Sequence, residues 1–145
     1  MTIHATMEKF GYPDTLIEEY DHWVVLLRPA QQTLGSLVLI CKENVNAFSD
    51  ISAPAFSELQ QVTKDIETSL KSFCQFEKIN YLMLMMVDKE VHFHVIPRYG
   101  DPREFEGISF ADAGWPAVPA LGQAHQLSET ERRSMIDALK ASWSI

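Results

Sequence analysis

The stretch Glu90-Val91-His92-Phe93-His94-Val95-Ile96-Pro97-Arg98 most constrains what this chain can fold into. Successive side chains of a β-strand point to opposite faces. Val91, Phe93 and Val95 then share an apolar, core-facing side, and Glu90, His92 and His94 share the other. This alternation predicts a strand with one buried face. A merely solvated face can use Thr, Lys or Ser, so two imidazoles and a carboxylate in a row mark this strand as the candidate chemical centre. Pro97 has no N–H to give to a ladder and is expected to end the strand, leaving the histidines near its C-terminal end.

The flanking segments supply the rest of a sheet. Leu16 to Tyr20 and Trp23 to Arg28 read as a hairpin turning at Asp21-His22, and Leu37 to Cys41 as a central, almost continuously apolar strand. Lys78 to Val87 and Val91 to Ile96 read as two further strands joined tightly at Asp88-Lys89-Glu90. Phe56, Leu59, Val62, Ile66, Leu70 and Phe73 recur at three- and four-residue spacing and predict one long helix over Ala53 to Cys74, with Ser52 as its N-cap. The expected architecture is α+β: a five-stranded, mainly antiparallel sheet with one long packed helix and a C-terminal helix. At 145 residues the chain is expected to form a single domain, with a core over about 14–98 and a C-terminal extension over 99–145.

Within that extension, Tyr99 to Leu127 is rich in Pro and Gly and has no clear period. It carries Phe105, Phe110 and Trp115, too much aromatic surface for a free tail, so it is expected to lie over the sheet or a symmetric partner near His92, or to pack on its own domain. Ser128-Glu129-Thr130-Glu131 predicts a capping box that starts a last helix, ending at about Trp143. A net charge of −8 argues against a general nucleic-acid grip. A locally neutral or basic site can still take a small phosphorylated ligand. No apolar run approaches the roughly 20 residues of a membrane span, and the N-terminus has no signal-peptide pattern. Cys41 and Cys74 lack metal-like spacing and read as reduced core thiols of a cytoplasmic protein.

Three readings of the histidine strand compete. Two surface histidines can share a strand face without function. Histidines at i and i+2 can both reach one metal ion, but a third ligand is needed. Glu90 lies about 13 Å from His94 along an extended strand, and His4, His22 and His125 stand in unrelated contexts, so no metal is expected. The third reading is nucleophilic catalysis at phosphorus. A neutral imidazole attacks a phosphoryl centre while a second histidine hydrogen-bonds the phosphate oxygens or the leaving group.

His92-Phe93-His94-Val95-Ile96-Pro97-Arg98 resembles the histidine triad family, whose mark is His-φ-His-φ-His-φ-φ (φ apolar), often followed by Pro-Arg. Leu34-Gly35-Ser36-Leu37-Val38-Leu39-Ile40-Cys41-Lys42 looks like that family's Pro-Gly-His-φ-φ-φ-φ-Pro-Lys segment, and the long helix falls between the two motifs. The likeness covers roughly Leu16 to Arg98 and points to the bacterial dinucleoside polyphosphate hydrolase-like branch. It implies a nucleotidyl hydrolase or transferase, often homodimeric and without a cofactor, that acts on dinucleoside polyphosphates, phosphoramidates and similar esters. His92 would be the nucleophile that forms a nucleotidyl–histidine intermediate, with His94 assisting at phosphate. Leu26 and Arg28 fall where the family lines its base and ribose pocket.

The pattern is incomplete. Glu90 replaces the first triad histidine, Ser36 replaces the upstream histidine, and Arg28 stands where a small polar or acidic group usually holds the ribose hydroxyls. The polar loop that contacts phosphate has shrunk to Val87-Asp88-Lys89. A carboxylate at Glu90 can orient a histidine or repel phosphate, with Lys89 and Arg28 available to offset its charge. A nucleotide-binding or regulatory protein with a degenerate site is the alternative implied, and a metal-dependent hydrolase a more remote one.

Overall fold

The computed structural model describes residues 2–143. Its centre is an antiparallel sheet of five strands: β1 (Leu16–Glu19), β2 (Trp23–Leu27), β4 (Leu37–Cys41), β6 (His92–Arg98) and β5 (Lys78–Leu82), in that spatial order. The apolar Leu37–Cys41 segment is the middle strand. Every one of its residues is buried, as a strand covered on both faces requires.

The register builds straight rows across the sheet. Leu16, Leu26, Val38, His94 and Leu82 form one row that crosses all five strands, and Val24, Ile40 and His92 form the next. Alternate residues face the other way. Leu37, Leu39, Cys41, Val91 and Val95 pack with Val62, Ile66 and Leu70 of the long helix α2 (Ala53–Cys74). Ser52 caps that helix, its Oγ accepting from the Ala55 N–H at 3.2 Å. The opposite sheet face is covered by α1 (Ala5–Lys9), whose Met7 is buried among Val24, Leu26, Val38 and Ile40.

Several expectations are corrected. β6 does not stop at Pro97 but runs on to Arg98, with Pro97 opposite Ile79. A strand residue gives its N–H to one flank only. Pairing with β4 ends at Leu37 opposite Val95, so beyond it a residue without an N–H is tolerated. β5 ends at Leu82 rather than Val87, and residues 83–91 form a loop instead of a tight turn. Phe56 is exposed and stacks on Phe48, 5.2 Å between centroids. Ala55 takes the inward position there, its carbonyl accepting from Trp23 Nε1 at 2.9 Å, and the next residue points about 100° away.

The extension packs on its own domain. A hairpin of β7 (Arg103–Phe105) and β8 (Ile108–Phe110) turns at Glu106-Gly107. Both turn residues have positive φ, 49° and 82°, the backbone that matches the twist of a two-residue hairpin. Phe105 packs on Phe73 of α2 and Phe110 is buried. The short β9 (His125–Gln126) pairs with β3 (Ala30–Gln31). The capping box at Ser128 is present: Ser128 N–H donates to Glu131 Oε1 at 2.9 Å and Glu131 N–H to Ser128 Oγ at 3.2 Å. It starts α3 (Glu129–Trp143), which lies beside α2 and buries Met135, Ile136, Leu139 and Trp143.

Candidate active site

His92 and His94 stand on the sheet face that α1 covers, above a floor of Ile40 and Val38. Their rings are 5.3 Å apart and nearly perpendicular. Phe10, just past α1, closes on both, with centroids 5.8 Å from His92 and 5.7 Å from His94.

His92 is 1% exposed. Its Nδ1 lies 2.7 Å from the backbone oxygen of Glu90. A carbonyl only accepts, so Nδ1 carries a proton, and in the neutral ring Nε2 is the nitrogen that keeps the lone pair. That tautomer is the one a nucleophile or base requires. His94 is different, since its Nδ1 is buried and meets no hydrogen-bond partner among the described residues. Burial foremost, and then the charges of Arg28 and His92, push its pKa down to about 4, while Asp88 works in the opposite direction. The His94 ring is therefore neutral at pH 7.

The Glu90 carboxylate is occupied away from the imidazoles. Its Oε1 accepts from Thr6 Oγ1 at 2.6 Å and from Thr6 N–H at 3.1 Å, with His4 Nδ1 3.7 Å away. The Thr6 hydroxyl bond, more than any other influence, holds this carboxyl below its ordinary pKa range. Glu90 thus does two jobs: its side chain pins α1 to the sheet and its carbonyl orients His92. His4 adds to the same strap, hydrogen-bonding the Cys41 carbonyl through Nε2 at 2.7 Å.

The other residues singled out in the sequence are dispersed. Leu26 is fully buried beneath Met7. Arg28 follows β2, donates from Nη1 to the Ala30 carbonyl at 2.8 Å, and keeps a buried Nε with no partner among the described residues. Burial lowers its pKa, the mark of a partly desolvated cation. Lys89 is exposed. Ser36 is buried in the turn before β4, its Oγ donating to the Thr33 carbonyl at 2.9 Å. Gly35 before it has φ +93°, and a Cβ there would lie 3.1 Å from Leu70 and 3.4 Å from Pro97, so the turn sits tight against α2 and β6.

A cavity of about 220 Å³ opens between His92, His94 and loop residues 84–88. A larger cleft of about 660 Å³ lies between β5 and Trp115–Pro119 but touches neither histidine. Thr6, Phe10 and loop residues 84–86 are the parts of the site that sequence reasoning missed, while Val87 and Asp88 of the same loop are singled out in the sequence. Contacts across 84 residues, as between Thr6 and Glu90, leave no local signal.

Residues 9–101 match the HIT domain family. The chain belongs to the histidine triad family. A histidine triad protein from Sinorhizobium meliloti 1021 superposes with a TM-score of 0.74 at 22% identity, covering 97% of this chain and 96% of its own. Another from Bradyrhizobium japonicum gives 0.73 at 19%, with the same coverage of 97% and 96%. The diadenosine triphosphate hydrolase of Plasmodium falciparum gives 0.61 at 9%, over 91% of this chain and 76% of that one. These likenesses establish the fold. A search of curated proteins found no match.

Membership of the histidine triad family points to nucleotide hydrolase or transferase chemistry and to a nucleotide as the small-molecule partner. In this histidine triad protein no three His, Cys, Asp or Glu side chains converge on a metal position among the described residues. Nor, among them, is any helix long and apolar enough to cross a membrane.

Proposed function

We propose that this chain is a nucleotidyl hydrolase or transferase that works through a nucleotidyl–histidine intermediate at His92. Its substrates are nucleoside phosphate esters or anhydrides, a class that includes dinucleoside polyphosphates. The observation that carries this reading is the 2.7 Å contact from His92 Nδ1 to the Glu90 carbonyl, which leaves the Nε2 lone pair available.

In the first step Nε2 attacks phosphorus; a P–N bond forms and the bond to the leaving group breaks, the electron pair going with that group. In the second step a water oxygen attacks phosphorus and releases a proton, and the P–N pair returns to Nε2. The products are a nucleoside monophosphate and the protonated leaving group. His94, neutral at pH 7, contributes an N–H dipole to the phosphate rather than a charge. Arg28 supplies a cation whose Nε is unused by the fold, whereas Leu26, fully buried beneath Met7, supports the sheet under the site and does not line a pocket. Glu90 stands at the first triad position and acts there through its carbonyl and through Thr6. Lys89 adds a screened positive charge at the rim. The working unit is a homodimer. Its setting is the cytoplasm, in keeping with two free, buried cysteines.

A second reading is a nucleotide-binding regulator that does not turn over. It is favoured by one observation: His92 is almost wholly buried, with Phe10 against both rings. Mass spectrometry after an acid-free quench separates the two. The hydrolase predicts a nucleoside monophosphate adduct on the peptide containing His92, lost together with turnover in His92→Ala and diminished in His94→Ala. The regulator predicts no adduct and nucleotide affinity unchanged in His92→Ala. An adduct that persists in His92→Ala places the chemistry elsewhere.

A further inference from the structure

Arg28 is a cation that the fold leaves unpaired. A guanidinium carries five N–H donors. Among the described residues only Nη1 of Arg28 finds a partner, the Ala30 carbonyl at 2.8 Å. Nε is shut away from solvent with no hydrogen bond, and no carboxylate of the described residues pairs with the group. Arg98 shows what the Nε–Nη2 edge does when it is filled. There Nε donates to Asp112 Oδ2 at 2.6 Å and Nη2 to Asp112 Oδ1 at 3.2 Å. That edge is a fork whose two parallel N–H bonds match a carboxylate or a phosphate. In Arg28 the same edge is without a partner. Burial already disfavours its charge and lowers its pKa, a penalty that an arriving anion relieves.

The place of Arg28 in the sheet limits which anion that is. Arg28 follows Leu26 by two residues and so shares the sheet face of His92 and His94. Leu26 lies in the row of His94, and the Arg28 N–H meets the Ser36 carbonyl at 3.1 Å, one row further from His92. From His92 to Arg28 this makes four residues of strand, roughly 13 Å, and two strand spacings, about 10 Å. The Arg28 side chain covers enough of the gap for its charge to be felt at His94. A phosphate joined through one oxygen to the phosphorus at His92 stays at the histidine end. A phosphate on the 2′ or 3′ oxygen of the ribose is instead held away from the 5′ phosphorus by the width of the sugar. In dinucleotide-binding folds a carboxylate reads free ribose hydroxyls and an arginine reads a ribose phosphate.

We propose that Arg28 holds a second phosphate carried on the ribose. The substrates are then nucleoside 5′-phosphate esters or anhydrides with a further phosphate monoester at the 2′ or 3′ oxygen. The inference rests on the proposal that the 5′ phosphorus is held at His92, and it makes Arg28 a determinant of specificity.

Calorimetry with adenosine 5′-monophosphate, adenosine 2′,5′-bisphosphate, adenosine 3′,5′-bisphosphate and adenosine 5′-diphosphate tests it. The guanosine compounds are run beside them, because Arg28 does not read the base. One bisphosphate is expected to bind at least about 10-fold more tightly than the monophosphate, as a charge-assisted fork provides. The diphosphate adds its phosphate next to the 5′ phosphorus and should gain less. In Arg28→Gln the bisphosphate-to-monophosphate affinity ratio should fall towards one. Arg28→Lys keeps the charge without the fork and should restore only part of the ratio. The wild-type series stands by itself if Arg28→Gln does not fold. Equal affinity for mono- and bisphosphates, a diphosphate that gains as much, or a ratio unchanged in Arg28→Gln each overturns the inference. A nucleoside phosphate adduct on His92 without the bisphosphate preference removes this inference alone. The preference without any adduct removes the catalytic proposal alone, and no binding by any of these nucleotides removes both.

Discussion

The two ends of β6 carry polar side chains on the same sheet face and treat them in opposite ways. At Arg98 the guanidinium is buried and each of its three nitrogens has a partner. Nε meets Asp112 Oδ2 at 2.6 Å, Nη2 meets Asp112 Oδ1 at 3.2 Å and the Ala117 carbonyl at 2.8 Å, and Nη1 meets Asn80 Oδ1 at 2.7 Å. Four to six strand positions earlier, around His94 and His92, partners are missing: His94 Nδ1 has none among the described residues, nor has the Nε of nearby Arg28. Folding tends to satisfy buried polar groups, since an unpaired one costs about 1–3 kcal/mol. A saturated network therefore reads as structural, locking the extension onto the sheet. An unsaturated cluster reads as one whose partners arrive with a ligand.

The largest effect should come from breaking the saturated end. Asp112→Ala leaves the buried Arg98 charge facing only neutral groups, and a loss of about 3–5 kcal/mol in urea denaturation is expected. A loss below about 1 kcal/mol would erase the contrast between the two ends. Next comes the strap. Glu90→Ala removes two hydrogen bonds to a carboxylate and should cost about 1.5–3 kcal/mol. Hydrogen exchange should quicken over residues 4–10 before it does elsewhere. Glu90→Ala and Thr6→Val should be clearly less than additive, and full additivity would show that the two side chains do not act together.

The smallest effect belongs to the unsaturated end. His94→Leu removes a polar atom that has no protein partner, so stability should stay level or rise by about 1 kcal/mol while ligand binding falls. The same ring makes stability depend on pH. In the unfolded chain it takes a proton near its ordinary 6.5 and in the fold only near 4. Between those values the unfolded state binds more protons, so stability is complete above about 6.5 and declines as pH falls towards 4. His94→Leu should lose this share of the acid sensitivity. Arg28→Gln removes a positive neighbour and should move the His94 midpoint upward in a proton NMR titration. A midpoint that does not move would place Arg28 too far away to serve the site.

What the sequence determined by itself is what repeats locally. The period-two alternation at Val91, Phe93 and Val95 sorted the two faces of β6, and the three- and four-residue spacing from Leu59 to Leu70 placed α2 at Ala53–Cys74. Ser52 and the Ser128–Glu131 box announced their helices because a cap is completed within four residues. These features arise from backbone geometry that any four- to ten-residue window already contains. The tertiary structure decided the rest. The apolar run from Tyr81 to Val87 has the composition of a strand, yet only its first two residues are strand; the others form the loop that walls the cavity. Pro97 is tolerated in β6 because β4 no longer pairs at its level, a fact of sheet closure. Glu90 sits in sequence with the histidines, but its carboxylate is claimed by Thr6, and Arg98 is claimed by Asp112. Such pairings depend on where distant segments meet once the core has closed, and no periodicity carries that information.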